Sequence, residues 1–158
     1  MSSQVVVNMN ALDDKESSPF LSHITVNDNQ HVLQADEPKS VGGQDLGPTP
    51  YDLLLSALGS CTVMTLRMYA DRKQLPLTGV SVTLRHAKIH RKDCNECIAS
   101  TEKKGKSPLF DRIERDITVH GDGLTEKDRE KILQIANKCP VHRTLEQGQV
   151  VVVSSLVD

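Results

Sequence analysis

The stretch Gly42–Lys73, GGQDLGPTPYDLLLSALGSCTVMTLRMYADRK, decides the fold. Its opening holds the pair Gly42-Gly43 and two prolines, Pro48 and Pro50, punctuation that suits the interior of neither a helix nor a strand. A loop therefore delivers the chain into a new element. Pro50 stands where a first helical turn tolerates a missing N–H, and the spacing predicts a helix from about Thr49 to Lys73, bounded beyond by Pro76 and Gly79. Up to Leu66 that helix is apolar on almost every side, so it must be enclosed by a sheet or by a second subunit. Gly59 and Ser60 would let another backbone come close. The uncharged run Leu53 to Leu66 falls short of the roughly 20 residues a membrane span needs, which favours a core helix over a membrane.

Outward from the helix, the pattern changes period. Towards the N-terminus, Gln4 to Ala35 reads as β: Val5 to Val7, then Leu21, Ile24 and Val26, a turn at Asn27-Asp28-Asn29, and His31 to Ala35. On the far side, Val80, Val82 and Leu84 alternate with Ser81, Thr83 and Arg85, the period of a half-buried strand running toward His90. His86 keeps the buried parity. Arg91 to Leu109 is polar and holds Gly105 and Pro108, which predicts a long loop. Ile113, Ile117 and Val119 give another strand, ending at Gly121-Asp122-Gly123, with Arg115 sharing its inward parity. Thr125 with Asp128 is a helix start, and Ile132, Leu133, Ile135 and Ala136 carry the helix to about Lys138. Pro140 interrupts it. A short helix from Val141 to Glu146, a stop at Gly148 and a closing strand from Gln149 to Val153 complete the order β-β-β-α-β-β-α-α-β. Strand runs and helix runs, rather than alternating βαβ units, define an α+β class, as a single domain over residues 1–158.

Composition narrows the function. The chain has 158 residues, 19 Lys plus Arg against 21 Asp plus Glu, and a net charge of −2. It carries no basic patch or polybasic tail to recruit nucleic acid or an anionic membrane. Aromatics are 3% of residues and Trp is absent, which leaves nothing on which to stack bases and makes the core aliphatic. The charged runs Glu102 to Lys106 and Glu126 to Lys131 read as solvated faces. The first residues show neither the basic n-region nor the apolar h-region of a secretory signal, so a cytoplasmic protein is expected. Four cysteines there are reduced rather than paired as structural disulfides, and serve as packing, metal ligands or reactive thiols.

Two cysteines sit at marked positions. Cys61 lies about three turns into the apolar helix, and Cys139 lies at the break between two helices in NKCPVHRTL, Asn137 to Leu145. Position alone leaves each open to being a buried inert thiol. Taken together, however, Gly42–Thr62 and Asn137–Leu145 resemble the OsmC/Ohr family of hydroperoxide-reducing stress proteins. The shared features are a G-P-x-P loop entering a helix with a cysteine one helix-length on, and a C-P-V at a later helix junction. The resemblance implies an intertwined homodimer with each core helix packed between curved sheets, Cys61 as the peroxidatic thiol, Cys139 as the resolving thiol, and regeneration by an external dithiol. No cofactor is required. In that chemistry a thiolate breaks the peroxide O–O bond, leaving a sulfenic acid that the second thiol condenses with before over-oxidation locks it.

Such a thiol must ionise, because an ordinary thiol is only about 3% thiolate at neutral pH. The resemblance implies an Arg on the early strands and a Glu ten residues before the cysteine. Here there is no Arg before Arg67, and the position is Tyr51, with Asp52 beside it. Arg115, Arg143 and His142 are the replacement cations on offer. Arg115 and Arg143 read equally as salt-bridge partners, His142 as a helix-end histidine, and Asp52 as a first-turn residue complementing the helix dipole.

A second cluster, HAKIHRKDCNEC, runs His86, His90, Cys94, Cys97. Two histidines and a C-x2-C have the composition of a zinc site, although two histidines four apart on a strand lie roughly 13 Å from one another. His86 alone could instead line the active pocket. The leading expectation is thus a peroxidase acting on organic hydroperoxides in a mostly apolar pocket. The alternatives are a non-catalytic module binding a small apolar ligand or a metal, and a redox sensor built on Cys94 and Cys97.

Overall fold

A computed structural model of the chain describes residues 4–9, 18–27, 30–90, 109–148 and 154–155. It contains two compact units, Met1–Leu54 and Leu55–Asp158, whose boundary falls within the long helix.

The first unit is a three-stranded antiparallel sheet of β1 (Val5–Met9), β2 (Ser22–Val26) and β3 (His31–Ala35), in that spatial order. The register runs from Val5 opposite Val26 and from Ser22 opposite Ala35. Asn27 opens the turn after β2 at φ 51°; Asp28 and Asn29 lie outside the described residues. The loop after β3 is organised by Asp36, whose residue is 2% exposed. Its carboxylate accepts the Ser18 hydroxyl and the backbone N–H groups of Gln44 and Leu46. Gly43 is required in this loop: a Cβ there would stand 1.8 Å from the Glu37 carbonyl oxygen. One 3-10 turn, Lys39–Val41, is the regular structure that the predicted loop contains.

Burial by itself would raise the Asp36 pKa. The hydrogen bonds from Ser18, Leu46, Glu37 and Gln44 outweigh it and bring the value to about 2. Because the folded value lies below the unfolded one of about 4, Asp36 stabilises the fold above that pH, and the contribution disappears as pH falls from about 5 toward 2. Asp36→Asn is expected to lower the unfolding midpoint at neutral pH and to flatten the acid limb of stability against pH. Urea melts across this range check it; parallel curves for the two proteins would assign the loop's order to something else.

The long helix α1 (Pro50–Lys73) starts with a reciprocal cap. The Asp52 carboxylate accepts the Thr49 backbone N–H at 2.9 Å, and the Thr49 hydroxyl accepts the Asp52 N–H at 3.2 Å. The helix ends where Gln74 turns to φ 53° and the Leu75 N–H reaches back to the Ala70 carbonyl at 2.9 Å. The helix thus ends at Lys73, as the sequence predicts, ahead of Pro76 and on a non-glycine left-handed residue.

In the second unit, β4 (Gly79–His90) and β5 (Leu109–His120) form an antiparallel ribbon, paired residue for residue from Gly79 opposite His120 to His90 opposite Leu109. β5 thus begins before Ile113, because pairing with β4 extends the strand past the alternating apolar positions. Two helices come next, α2 (Glu126–Ala136) and α3 (Pro140–Gln147). A Thr125–Asp128 capping box opens α2, which closes at Asn137, just short of the predicted Lys138. Pro140 is the first residue of α3 rather than a spacer before it. The predicted closing strand, Gln149 to Val153, lies outside the described residues.

Leu66 and Ala70 of α1, Leu77, and Ile132 and Ala136 of α2 make the core of this unit, flanked by Val80, Ile117, Val119, Leu124 and Ile135. The buried stripe of α1, Leu58, Thr62, Leu66 and Ala70, keeps strict i, i+4 spacing. Its all-round apolarity is met on one side only, since Met64 and Met68 are 63% and 74% exposed. Gly59 admits a side chain rather than a backbone: a Cβ there would lie 2.9 Å from Leu84 Cδ1. By length and composition α1 would also pass for a membrane span. Its buried stripe marks it as the core helix of this unit.

Candidate functional site

Two segments remote in sequence bring the two marked cysteines together. Cys61 is carried on α1, one residue before Thr62 of the buried stripe, and is half-buried. Cys139 is the N-cap of α3, at the junction with α2, and is fully buried. Both are free thiols, and they lie near enough for each to shift the other's pKa.

Pro140 has no N–H to offer, so the first free donors of α3 are the backbone N–H groups of Val141 and His142; both lower the Cys139 pKa, although the thiol makes no side-chain cap on the helix. The Thr62 hydroxyl, which donates to the Leu58 carbonyl at 2.7 Å, adds a smaller lowering contribution.

Arg115 staples the arrangement. It projects inward from β5, as its parity predicted, and donates to Thr62 Oγ1 at 3.0 Å, to the Ala136 carbonyl at 3.3 Å and to Asn137 Oδ1 at 2.7 Å. One guanidinium therefore ties the residue after Cys61 to the two residues that lead into Lys138 and Cys139. Desolvation lowers the pKa of Arg115, while the neighbouring Cys139 raises it, which makes it a half-buried cation facing that thiol.

The two thiols are pushed apart. Burial raises the Cys61 pKa, and its hydrogen bond and charge interaction with Cys139 raise it further, against smaller opposing contributions from Val141 and Thr65. For Cys139 burial acts upward, but hydrogen bonds from Cys61, His142, Val141 and Thr62 prevail and the value falls below the ordinary thiol range. The pair titrates as a unit, with its first negative charge favoured on Cys139 and its remaining proton on Cys61.

The other candidates divide plainly. Asp52 is occupied by the Thr49 cap, which holds its pKa down. The His142 ring lies 3.0 Å from the Glu146 carboxylate, one turn on along α3. Arg143 is exposed, its N–H bonded to the Cys139 carbonyl at 3.1 Å. His86 is half-buried at the far part of β4, with Nε2 2.9 Å from Asp111 Oδ1, an oxygen also held by Lys88 at 2.7 Å. His90 is exposed. Cys94 and Cys97 lie outside the described residues, and among the described residues no cluster of His, Cys, Asp or Glu is arranged to hold a metal ion. Thr62 and Asn137 escaped the sequence reading. The trace of Thr62 was a lone polar residue on an otherwise apolar i, i+4 stripe.

An apolar depression of about 480 Å³ lies along α1, lined by Val63, Met64, Arg67, Met68 and Leu77 to Val80. Neither cysteine lines it, so it is separate from the thiol pair.

Comparison with known proteins identifies the family. The family of OsmC-like proteins matches residues 42–154, a span containing both cysteines and Arg115, and the chain belongs to that family. No curated protein matches the sequence. Among solved structures, an OsmC-like protein from Mycoplasma pneumoniae superposes with a TM-score of 0.64 at 20% identity, covering 94% of this chain and 89% of that one. An organic hydroperoxide resistance protein from Elizabethkingia anophelis gives 0.66 at 12% identity, with 92% and 89% covered. Another, from Legionella pneumophila, gives 0.61 at 14% identity, with 90% and 89% covered. These likenesses establish the α+β OsmC-like fold.

Proposed function

We propose that this chain is a thiol-dependent hydroperoxide reductase, with organic hydroperoxides as its substrates and Cys61 and Cys139 as its redox pair. The observation that carries the reading is the nearness of the two thiols, which shift each other's pKa, with the Arg115 charge acting on Cys139. Cys61, the more accessible of the two, is the peroxidatic thiol. Its sulfur bonds to the terminal peroxide oxygen, the O–O bond breaks, and the alcohol departs once the alkoxide has taken a proton. Cys139 resolves the sulfenic acid into a disulfide, and an external dithiol restores both thiols by exchange. No cofactor takes part, and zinc on the His86 to Cys97 segment is not needed.

The proposal includes a cytoplasmic homodimer, in which a second copy covers the exposed Met64 and Met68 face of α1. Disulfide mapping tests the chemistry. Reduced protein given one equivalent of cumene hydroperoxide should lose two thiols and yield a peptide joining Cys61 to Cys139. A cross-link at Cys94 and Cys97 instead, with Cys61 and Cys139 untouched, favours a sensor, and four unreacted thiols favour a non-catalytic binding module.

A further inference from the structure

Arg115 directs its charge at neutral oxygens. Among the described residues no carboxylate pairs with this half-buried guanidinium: Nη1 donates to Thr62 Oγ1 at 3.0 Å and to the Ala136 carbonyl at 3.3 Å, and Nη2 to Asn137 Oδ1 at 2.7 Å. Those acceptors belong to the two segments that carry the cysteines, Thr62 directly after Cys61 on α1, and Ala136 with Asn137 at the end of α2. The Ala136 carbonyl also accepts the Cys139 backbone N–H at 3.3 Å, so one oxygen receives both the clamp and the residue to be placed. Only Asn137 and Lys138 separate α2 from Cys139, and both are exposed. The backbone at Asn137 does not call for an asparagine. At a helix end this residue type commonly serves a left-handed turn, but Asn137 sits at φ −72° and ψ −7°, right-handed values open to any residue. What its side chain supplies is the short bond to Arg115, which ties the junction to β5.

We propose that Asn137 is a positioning residue for the resolving step: with Arg115 it keeps the α2–α3 junction, and so Cys139, within reach of Cys61, and thereby sets how often an oxidised Cys61 closes to the disulfide rather than being oxidised further. This rests on the hydroperoxide reductase reading and deepens it. Two reactions compete for the Cys61 sulfenic acid. In one, the Cys139 sulfur attacks the Cys61 sulfur, the S–S bond forms, the S–O bond breaks, and hydroxide leaves with the Cys139 proton as water. In the other, the sulfenic sulfur attacks a second hydroperoxide, whose O–O bond breaks to give sulfinic acid and an alcohol. The first is intramolecular, and its rate follows the share of time for which the Cys139 sulfur is held close; the second follows the peroxide concentration. Loosening the junction therefore slows disulfide closure and leaves over-oxidation as it was.

The test exposes reduced protein to a series of cumene hydroperoxide concentrations and divides the Cys61 peptide by mass spectrometry into disulfide and sulfinic acid. Asn137→Ala should reach equal amounts of the two products at a peroxide concentration lower than that of the wild type by roughly threefold or more. Asn137→Asp, which keeps an Oδ1 acceptor for Arg115, should return the balance to near the wild type. The balance is a ratio between two fates of one sulfenic acid, so neither the rate of the first oxidation nor a smaller folded fraction moves it. An Asn137 that is merely structural would show its loss in the melting temperature instead. An Asn137→Ala balance equal to that of the wild type, or an Asn137→Asp balance as poor as that of Asn137→Ala, overturns the inference while the reductase reading stands. A wild type in which peroxide leaves Cys61 unoxidised overturns both.

Discussion

Cys61→Ser is expected to abolish peroxide reduction, lowering the rate by at least about 10³-fold, because a serine hydroxyl neither ionises near neutral pH nor forms a stable oxidised product with a peroxide. The substitution is nearly isosteric at a half-buried position, and the core stripe of Leu58, Thr62, Leu66 and Ala70 is untouched, so the fold should persist. Cys139→Ser should behave differently. It leaves a sulfur that can still be oxidised but removes the thiol that rescues it, so sulfinic and sulfonic acid should accumulate on Cys61 with each exposure. Mass spectrometry of the Cys61 peptide distinguishes the two variants. Retention of full turnover in Cys61→Ser would place the chemistry on other cysteines and remove the reductase reading of this pair.

The second large effect is expected at Arg115. Arg115→Met keeps much of the aliphatic stem but strips three hydrogen bonds, to Thr62, Ala136 and Asn137, and the positive charge that faces Cys139. Losing that charge disfavours negative charge on the thiol pair. The first proton should then leave the pair at higher pH, and a rise of one unit would cut the neutral-pH rate about tenfold. Arg115→Lys should recover part of it, since a lysine restores the charge without the planar fork that engages both segments at once. The discriminating readout is the pH profile. A residue that only packs would lower the melting temperature and leave the profile in place, and that result would reduce Arg115 to a structural staple.

Much of this was legible in the sequence because it depended on local rules. The loop before Pro50, the Thr125–Asp128 cap and the break at Pro140 are written in residue types whose backbone requirements are narrow, and the structure conforms to each. Strand parity likewise placed Arg115 and His86 on the inward side. What parity could not show is what lies opposite. Arg115 meets Thr62 and Asn137 through the packing of α1 and α2 on β5, a tertiary fact, whereas His86 meets Asp111 diagonally across the ribbon. The end of α1 at Lys73 was legible, but the device that makes it was not: Gln74 adopts a left-handed turn that sequence would assign to glycine, held by the Leu75 to Ala70 bond. The polarity of the thiol pair was hidden too. It follows from the start of α3 and the packing of α1 beside it, which lower the Cys139 pKa, rather than from residue type at Cys139.

The most direct measurement is the consumption of cumene hydroperoxide by the reduced chain in the presence of dihydrolipoamide. Sustained turnover, many equivalents of peroxide per chain and lost in Cys61→Ser, is the result the account predicts. Absence of turnover, with Cys61 and Cys139 still fully reduced after exposure to peroxide, would contradict it.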